Sequence, residues 1–461
     1  MRQEIISKIK SIAGRENCLH TRVARDIYGY DSSPFVHLPD LVVFAESTEQ
    51  VAAILGLTHA EGIPLVPRGA GTCLSGGAVA FKGGISLVLT RMNKILDIDV
   101  LEQTALVETG VVNQDLQNTL APLGFMFAPD PASQKVSTLG GNIGECAGGM
   151  RGVKHGVTKN HVLGLEVVLA DGHIVQTGSL APSQIFGPDM TGIFSGSEGT
   201  FGVITKAEVR LTPLPASKRT AMAAFSKLEQ AGQAVSLIIA QGIVPTTLEL
   251  MDQTMLKAVD DFLHLGFPQD AEALLLVEID GEEVELDRQL EIISTQFKAC
   301  SARSIQTAAN AEEREKLWLA RRSGNGALGR IKPAYMVQDV AVPRHRLPQL
   351  LQFVWETSCK YELIIAQMAH AGDGNLHPHL MYDPADADEY SRVLQAGEEI
   401  FRAALDMGGT VTGEHGIGLE KLEVMELQFT AQDLEFMQCI KSALDRDEML
   451  NPGKVLPGSS E

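Results

Sequence analysis

The chain has 461 residues, of which 44% are hydrophobic and 21% charged, and its formal net charge is -20. This length predicts two or three domains, and the composition is typical of a globular protein rather than a disordered one. The acidic balance disfavours nucleic acid as a partner. The sequence contains no run of about eighteen apolar residues, so no transmembrane helix is predicted. Residues 1–10 lack the apolar stretch of a secretory signal.

The six cysteines are scattered and form no C-x-x-C pair. Their spacing argues against an iron–sulfur cluster or a cysteine zinc site in this chain. Free thiols are typical of a reducing compartment. We therefore expect a cytoplasmic protein, with a peripheral membrane location through a partner subunit as the alternative.

Strands and helices alternate in the first half of the chain. Leu41–Phe44 is an apolar run that predicts a buried strand, and Ser47 or Thr48 is a suitable N-cap for the helix that follows. The pair Asp171-Gly172 stands between two apolar runs and predicts a tight hairpin turn. The other elements predicted here are strands at 65–66, 85–89, 104–108, 162–169 and 173–175 and a helix at 113–123.

The first glycine-rich loop follows the predicted strand at 65–66. Residues 66–77 read Val-Pro-Arg-Gly-Ala-Gly-Thr-Cys-Leu-Ser-Gly-Gly. Backbone N–H groups of such a loop can converge on an anion, because glycine allows the required dihedral angles. The loop matches neither the P-loop nor the G-x-G-x-x-G fingerprint, which disfavours nucleoside triphosphate and Rossmann sites. A set of tight turns is the alternative interpretation.

A second glycine-rich segment strengthens the prediction of a ligand. Seven glycines occur between Gly140 and Gly156. Glycine loses more backbone freedom on folding than any other residue, so this composition is costly in a purely structural segment. Backbone that lies closely along an extended cofactor explains it better.

Residues 212–215, Thr-Pro-Leu-Pro, predict a domain boundary, since two prolines in three residues favour an extended connector. A second series of alternating strands and helices is predicted after this connector. The elements predicted there are strands at 221–225, 247–251 and 273–279 and helices at 228–241 and 282–297. They indicate a smaller α+β domain with βαβ units on one sheet.

Two short segments near the C-terminal end carry the most informative chemistry. Residues 370–379 read His-Ala-Gly-Asp-Gly-Asn-Leu-His-Pro-His, and residues 413–416 read Gly-Glu-His-Gly. Imidazole nitrogens and carboxylate oxygens are ligands of divalent metals, and histidine transfers protons near neutral pH. The two segments predict a site that binds a metal and moves a proton. Structural histidines in glycine turns are the alternative.

The loops at 67–72 and 131–149 and the motifs at 370–377 and 413–418 resemble those of the FAD-linked 2-hydroxyacid dehydrogenases. This family of vanillyl-alcohol-oxidase-type flavoproteins includes the FAD-binding subunit of glycolate oxidase and flavin-dependent D-lactate dehydrogenases. The resemblance covers nearly the whole chain.

The resemblance implies an α+β fold built around a two-subdomain FAD-binding domain. That domain is expected at residues 1–215, and a ferredoxin-like cap domain that binds substrate is expected at 216–410. A C-terminal helical segment, 411–461, would return to the FAD domain and complete the active site.

By the same resemblance FAD is bound without a covalent link. Thr72 stands roughly where some relatives carry the histidine that attaches FAD. The residues expected to contact FAD are Pro67, Arg68, Gly69, Ala70, Gly71, Thr72, Gly76, Pro131, Ser133, Thr138, Gly140, Gly141, Asn142, Ala147, Gly148, Gly149, Gly199, Ile204 and Asn451.

The resemblance also implies a metal site and a proton acceptor. His370, His377 and Glu414 are the expected ligands of a divalent metal. Zinc is the first expectation, with manganese and iron as alternatives. His415 is the expected catalytic base, and Arg321, which follows a Leu-Trp pair, is expected to bind the substrate carboxylate.

Three further positions bear on the substrate. His379 would share a face with His377 if the segment is extended, and it is a candidate substrate contact, with a buried structural histidine as the alternative. Relatives that oxidise D-2-hydroxyglutarate have additional threonine and lysine contacts, and this chain has Asn325 and Val337 near those positions. Asn325 stays a candidate substrate contact, and the apolar Val337 favours a short D-2-hydroxyacid, D-lactate or glycolate.

The expected reaction is oxidation of that acid to the 2-oxoacid, with hydride transfer to flavin N5. A D-2-hydroxyglutarate dehydrogenase, a metal-dependent hydrolase and a non-catalytic flavoprotein scaffold stay as alternatives. The chain has no iron–sulfur motif and no nicotinamide fingerprint, so a separate electron acceptor is expected. An iron–sulfur subunit, an electron-transferring flavoprotein and a quinone are the candidates, and a homodimer stays open.

Overall fold

The structure, a computed structural model, describes residues 1–178, 187–268 and 270–458. The chain divides into two compact units. The first comprises Met1–Gly148, Val157–Leu214 and Glu414–Glu461, and the second comprises Gly149–Gly156 and Pro215–Gly413. The longer segment of the second unit begins within the predicted proline-rich connector and ends inside the Gly-Glu-His-Gly motif.

Strands and helices are distributed over the whole described chain. The strands are β1 (Cys18–Leu19), β2 (Leu41–Phe44), β3 (Leu65–Arg68), β4 (Ile85–Val88), β5 (Ile95–Asp99), β6 (Thr104–Glu108), β7 (Phe125–Met126), β8 (Val162–Val168), β9 (Ile174–Gly178), β10 (Val203–Arg210), β11 (Thr212–Pro213), β12 (Ser217–Phe225), β13 (Thr247–Asp252), β14 (Ala273–Gly281), β15 (Ser304–Thr307), β16 (Ala334–Val337), β17 (Val340–Ala341), β18 (Ile365–His370) and β19 (Asn375–Tyr382). The α-helices are α1 (Gln3–Ala13), α2 (Arg22–Ile27), α3 (Thr48–Glu61), α4 (Asn113–Leu120), α5 (Leu139–Glu145), α6 (Gly152–His155), α7 (Met190–Phe194), α8 (Leu228–Ala240), α9 (Gln253–Leu263), α10 (Glu283–Ala299), α11 (Ala311–Leu328), α12 (Leu347–Tyr361), α13 (Ala387–Asp406), α14 (Met425–Gln428) and α15 (Ala431–Leu444). Short 3-10 helices cover Ala121–Leu123, Thr158–His161 and Arg344–Arg346.

The described part of the first unit contains two larger sheets and a two-stranded sheet of β7 and β11. β1, β2, β4 and β3 form one sheet in that order, in which β4 pairs in parallel with both β2 and β3. Apolar side chains of α1 and α3 pack against this sheet. Ser47 caps α3 by accepting the backbone N–H of Gln50 at 3.3 Å, as predicted. β5, β6, β10, β8 and β9 form an antiparallel sheet, and its β8–β9 hairpin turns at Gly172 with φ +89°, which confirms the predicted Asp-Gly turn.

The C-terminal segment returns to the first unit, as predicted. The backbone N–H of Leu65 donates to the carbonyl of Met449 at 2.9 Å, and the N–H of Asn451 donates to the carbonyl of Leu65 at 2.8 Å. These bonds extend the edge of the first sheet next to β3. The strand that leads into the first glycine-rich loop is therefore held by the last part of the described chain.

The second unit is built on one large antiparallel sheet in the order β15-β12-β14-β13-β18-β19-β16. Its first four strands, with α8 after β12 and α10 after β14, have the ferredoxin-like split βαβ topology that the sequence analysis predicted. β12 and β13 both run antiparallel to β14, so they are parallel to each other with β14 between them. α9 and α11 pack through apolar side chains on the sheet face that carries Met251, Leu276 and Met368.

The central strands of this sheet are buried along their whole length. Every residue of β13, β18 and β19 is buried. A strand covered on both faces needs no alternation of polar and apolar residues. Polar side chains in these strands therefore have to find partners inside the protein. Among the described residues, no helix combines the length and the apolar content that a membrane span requires.

Asp252, at the start of α9, gives this unit a pH-dependent stability. Its Oδ1 accepts the backbone N–H of Met255 at 2.9 Å, and burial raises the pKa of its carboxyl from 3.8 to about 7. The folded state therefore holds this proton to higher pH than the unfolded state, so the contribution of Asp252 to stability falls from about pH 4 to about pH 7. Asn at this position keeps a capping oxygen but has no proton to lose. The Tm of Asp252→Asn minus the Tm of the wild type is therefore expected to increase as the pH is raised from about 5 to about 9.

The matched control is Asp386→Asn at the N-cap of α13, where the side chain is exposed and its carboxylate stays in water. Thermal unfolding at both pH values measures the Tm difference of each variant from the wild type. The difference should grow with pH for Asp252→Asn only. Equal growth in both variants would contradict the role of burial at Asp252.

Candidate active site

His370 and His377 lie side by side in the second unit. β18 pairs with β19 so that Met368 faces His377 and His370 faces Asn375. Because side chains alternate along a strand, both histidines project from the same sheet face. Their ring centroids are 5.1 Å apart with an interplanar angle of 84°, and both residues are buried. Two of the three predicted metal ligands are thus neighbours in one rigid element.

A buried glutamate orients the first of these histidines. Nδ1 of His370 lies 2.8 Å from Oε1 of Glu249 on β13, and Nε of Arg321 donates to Oε2 of the same carboxylate at 2.7 Å. Burial on its own raises the pKa of Glu249, but the interactions with His370 and Arg321 outweigh it, so the pKa is below its usual range. Arg321, the predicted carboxylate-binding residue, is therefore tied to His370 through one side chain.

A second buried acid, Asp339, lies next to His377. The Nδ1 atom of His377 is 3.7 Å from Oδ1 of Asp339. Oδ2 of Asp339 accepts hydrogen bonds from the Thr412 hydroxyl at 2.8 Å and from the backbone N–H of Gly413 at 2.7 Å. Asp339 therefore holds the two residues that come directly before Glu414 and His415.

His379 also projects from β19, and both its ring nitrogens face oxygen atoms. Nδ1 lies 2.9 Å from the carbonyl of His377, and Nε2 lies 3.0 Å from Oδ1 of Asn325 on α11. Val337 faces His379 across the β16–β19 pair. The two predicted substrate contacts, His379 and Asn325, are thus hydrogen-bonded to each other.

Glu414 and His415 belong to the first unit. A side chain at Gly148 would overlap the carboxylate of Glu414, so Glu414 lies against the middle of the second glycine-rich segment. Gly416 has φ +82°. The carboxylate of Glu198 accepts the backbone N–H groups of Ile417 at 2.7 Å and Gly418 at 2.8 Å. A buried acid therefore fixes the turn that follows His415.

The two glycine-rich loops meet inside the first unit. A side chain at Gly69 would overlap Oγ1 of Thr138, and a side chain at Gly199 would overlap the ring of Pro67. Arg68 is buried, which lowers the pKa of its guanidinium, and that guanidinium folds over Gly71. Glycine is required at Gly69 because the first loop lies close to Thr138, at the start of the second glycine-rich segment, and at Gly199 because a third segment lies close to Pro67.

The residues predicted to contact FAD all lie in the first unit except Gly149, which belongs to the second. One feature of the loops points directly to a ligand. The side-chain nitrogen of Asn142 on α5 is buried, and within residues 1–178, 187–268 and 270–458 it has no hydrogen-bond acceptor. A buried donor without an acceptor is costly. The phosphate, ribityl and ring oxygens of FAD are acceptors of the kind this donor needs, so the residues present fit the cofactor.

A buried polar cluster lies behind the first loop. The ammonium of Lys454 donates to the carbonyl of Gly77 at 2.8 Å, and burial lowers the pKa of Lys454 to about 8. The Asn451 amide donates to the carbonyls of Gly77, at 3.0 Å, and Glu198, at 2.6 Å. Burial raises the pKa of the Cys73 thiol, whose sulfur accepts the N–H of Gly77 at 3.0 Å. The predicted cofactor residue Asn451 thus fixes the end of the loop.

The acids Glu249, Asp339 and Glu198 were not predicted from the sequence. A signal was present for Glu249, which is a lone acid between leucines in a predicted strand. Asp339 and Glu198 stand in loop-like sequence, where an acid is normally solvated. Their roles became apparent only from their burial and their hydrogen bonds.

The chain matches two family descriptions that together cover most of its length. Residues 39–178 match the family described as "FAD binding domain", and residues 214–455 match "FAD linked oxidases, C-terminal domain". The chain belongs to the FAD-linked oxidase family. Membership makes it an FAD-dependent oxidoreductase, confirms the predicted resemblance, and removes the reason to consider a metal-dependent hydrolase.

Curated relatives cover nearly the whole chain. "Glycolate oxidase subunit GlcD" of Bacillus subtilis (strain 168) is 40% identical over 454 residues, which is 98% of this chain and 97% of the relative. "Probable D-lactate dehydrogenase, mitochondrial" of Danio rerio is 34% identical over 468 residues, which is 98% of this chain and 92% of the relative.

Solved structures show the same fold at low sequence identity. p-Cresol methylhydroxylase with substrate bound has a TM-score of 0.81 at 18% identity and covers 99% of this chain and 97% of its own. 4-Ethylphenol oxidase from Gulosibacter chungangensis has a TM-score of 0.81 at 21% identity, and the match covers 98% of this chain and 97% of the oxidase chain. These proteins confirm the predicted vanillyl-alcohol-oxidase-type architecture.

The close approach of the two glycine-rich loops predicts a sensitive position for FAD binding. Gly69→Ala forces a methyl group into Oγ1 of Thr138 and should separate the loops, at a cost of roughly 1–3 kcal/mol. We expect FAD affinity to fall by about tenfold or more. Flavin absorbance per protein, followed during titration with FAD, measures the loss.

Gly56→Ala on α3 is the control in the same unit, because its added methyl group would meet only the carbonyl of Asp171 at an ordinary 3.5 Å. This variant should retain its FAD. If both variants retain FAD equally, the loops do not need their close approach for binding.

Proposed function

We propose that this FAD-linked oxidase converts a short 2-hydroxyacid, D-lactate or glycolate, into the 2-oxoacid. The observation that carries the proposal is that Arg321 of α11 shares the buried carboxylate of Glu249 with His370, which lies beside His377 on one sheet face. An α-hydroxy carboxylate has a carboxylate and a hydroxyl on adjacent carbons, and these residues offer a guanidinium and a metal-binding imidazole pair. The names of the relatives from Bacillus subtilis and Danio rerio agree with this substrate class.

The metal ligands in this proposal are His370, His377 and Glu414. His370 uses Nδ1 towards Glu249, so its Nε2 is the nitrogen for the cation. Two imidazoles and one carboxylate suit zinc, manganese or iron, and zinc is the first expectation. When bound, FAD accepts a hydride, and a divalent cation acts as a Lewis acid that lowers the pKa of a hydroxyl.

Arg321 binds the substrate carboxylate. Its Nε atom is engaged with Glu249, and the two terminal nitrogens can bind a carboxylate in forked geometry. The side chain is 11% exposed, so this ion pair would form largely out of water, where it is stronger and positions the acid more firmly.

His415 takes the hydroxyl proton of the substrate. It is next to the proposed ligand Glu414 in the chain, and Glu198 holds the backbone just after it through the N–H groups of Ile417 and Gly418. A base positioned in this way contributes about two to four powers of ten in rate. As the α-hydrogen leaves with its electron pair and the proton passes to His415, the alcohol carbon becomes the carbonyl carbon.

The substrate end distant from the carboxylate is bounded by uncharged side chains. Val337 lies opposite His379 on the neighbouring strand, and Asn325 is bonded to His379. These residues favour a methyl group or a hydrogen atom over a second carboxylate. His379 and Asn325, which are hydrogen-bonded to each other, are the proposed substrate contacts. D-2-hydroxyglutarate is the alternative substrate.

Electrons must leave the reduced flavin to a separate acceptor. The Bacillus subtilis relative is named as a subunit, which supports a partner protein in this case. An iron–sulfur subunit, an electron-transferring flavoprotein and a quinone are the proposed acceptor classes.

Anaerobic mixing with a panel of hydroxyacids tests the proposal without knowledge of the acceptor. The flavin absorbance should bleach with D-lactate or glycolate, and more slowly with D-2-hydroxyglutarate. L-Lactate serves as the control for handedness. If dithionite bleaches the flavin and no hydroxyacid does, the proposed substrate class is wrong.

Substitution of the proposed base separates catalysis from cofactor binding. His415→Ala should slow flavin reduction by substrate by about two to four powers of ten, while the FAD content stays that of the wild type. His20→Ala, at an exposed position of the same unit, should leave both unchanged. Stopped-flow absorbance measures the rate, and unchanged reduction in His415→Ala would remove His415 from the mechanism.

A further inference from the structure

Glu249 is a buried acid on the sheet face that carries the histidines. It is 1% exposed and lies on β13, opposite Leu276 on β14 and His370 on β18. Each of its oxygens has a different partner. Oε1 faces Nδ1 of His370 at 2.8 Å, and Oε2 accepts the N–H of Arg321 at 2.7 Å.

We propose that Glu249 is a positioning residue that holds the metal-binding imidazole and the carboxylate-binding guanidinium in one fixed arrangement. This inference rests on the proposed function, because it assigns roles to His370 and Arg321. Glu249 touches neither the metal nor the substrate in this arrangement, and it acts only through its two neighbours.

The hydrogen bond to His370 selects the tautomer that can bind a cation. A carboxylate only accepts hydrogen bonds, so Nδ1 of His370 must carry the proton that faces Glu249. The lone pair of Nε2 is then available as a ligand. Without an acceptor at Nδ1, a neutral imidazole can carry its proton on Nε2, where it blocks coordination. A carboxylate behind a ligating histidine also raises the basicity of that ligand.

The hydrogen bond to Arg321 fixes the guanidinium and compensates its charge. A guanidinium with a side chain only 11% exposed needs a nearby anion, since an unpaired charge in the interior is costly. Glu249 supplies that anion, and its carboxylate accepts the hydrogen bond from Nε of Arg321. The terminal nitrogens then point in a direction set by the strand rather than by the flexible side chain.

The neighbouring strand offers a matched acid without these roles. Glu278 on β14 faces Thr247 across the β13–β14 pair, two residues along from the pair of Glu249 and Leu276, so it lies on the same face. It is 6% exposed and accepts hydrogen bonds from Nε1 of Trp318 at 2.9 Å and from the hydroxyl of Thr220 at 3.0 Å. Trp318 and Arg321 belong to the same helix, α11. Glu278 thus anchors this helix to the sheet as Glu249 does.

The experiment compares Glu249→Gln with Glu278→Gln in the full-length, FAD-loaded protein. Glutamine keeps the size of glutamate but turns one oxygen into a donor, so it cannot accept from both His370 and Arg321. Zn²⁺ affinity is measured by competition with a chromogenic chelator, without turnover. FAD content and Tm show whether each variant is folded, and flavin reduction at varied hydroxyacid concentration separates kcat from KM.

Zn²⁺ should bind about 10- to 100-fold more weakly to Glu249→Gln, and KM for the hydroxyacid should rise because Arg321 is no longer fixed. Glu278→Gln should lose Tm to a similar extent and keep the Zn²⁺ affinity of the wild type. If Glu249→Gln binds Zn²⁺ as tightly as Glu278→Gln does, Glu249 is only a structural ion-pair partner and the inference is overturned.

The wild type separates this failure from a failure of the proposed function. If the wild type binds no Zn²⁺, Mn²⁺ or Fe²⁺ and still reduces its flavin with a hydroxyacid, the metal site is wrong and the role of Glu249 falls with it. If the wild type binds the cation and the two variants do not differ, only the role of Glu249 is wrong.

Discussion

The antiparallel register between β18 and β19 decides where the chemistry of the second unit can occur. Met368 faces His377 in this pair, so His370, His377 and His379 share one sheet face. A slip of one residue would turn His377 and His379 to the opposite face and separate them from His370. Both strands are buried along their whole length. Such a slip is therefore costly, because the side chains would lose their packing partners and overlap other atoms of the close-packed interior.

Buried carboxylates hold the functional segments in both units. Glu249 orients His370 and Arg321, Asp339 holds Thr412 and Gly413, and Glu198 holds Ile417 and Gly418. An acid in the interior is stable only when its oxygens are satisfied, and removal of one partner leaves a costly buried charge. The same requirement makes these acids effective as positioning groups, since their partners cannot move without loss of hydrogen bonds.

Glycine has a different role in the first unit. At Gly69 and Gly199 a side chain would overlap Thr138 and Pro67, so these glycines permit the segments at Thr138 and at Gly199 to approach the first loop closely. The buried side-chain nitrogen of Asn142 indicates that the segments also face a ligand. Membership in the FAD-linked oxidase family makes FAD the ligand that we propose for these segments. The composition, the packing and the family description therefore agree on the same part of the chain.

Local patterns in the sequence predicted part of the first unit and three of the four ferredoxin-like strands, since caps, turn pairs and apolar runs act over a few residues. They did not predict β10, the central strand of the antiparallel sheet of the first unit, or the edge strand β15. The N-cap at Ser47, the turn at Asp171-Gly172 and the strand around Glu249 were all within reach of such patterns. The motif with His370 and His377 predicted a metal or proton-transfer site from the sequence, but its buried partners could not be predicted. Glu249 is 121 residues from His370, and Asp339 is 73 residues from Thr412. Only tertiary structure brings such distant residues together, because cross-strand pairing and burial depend on the whole fold and not on neighbours in the chain.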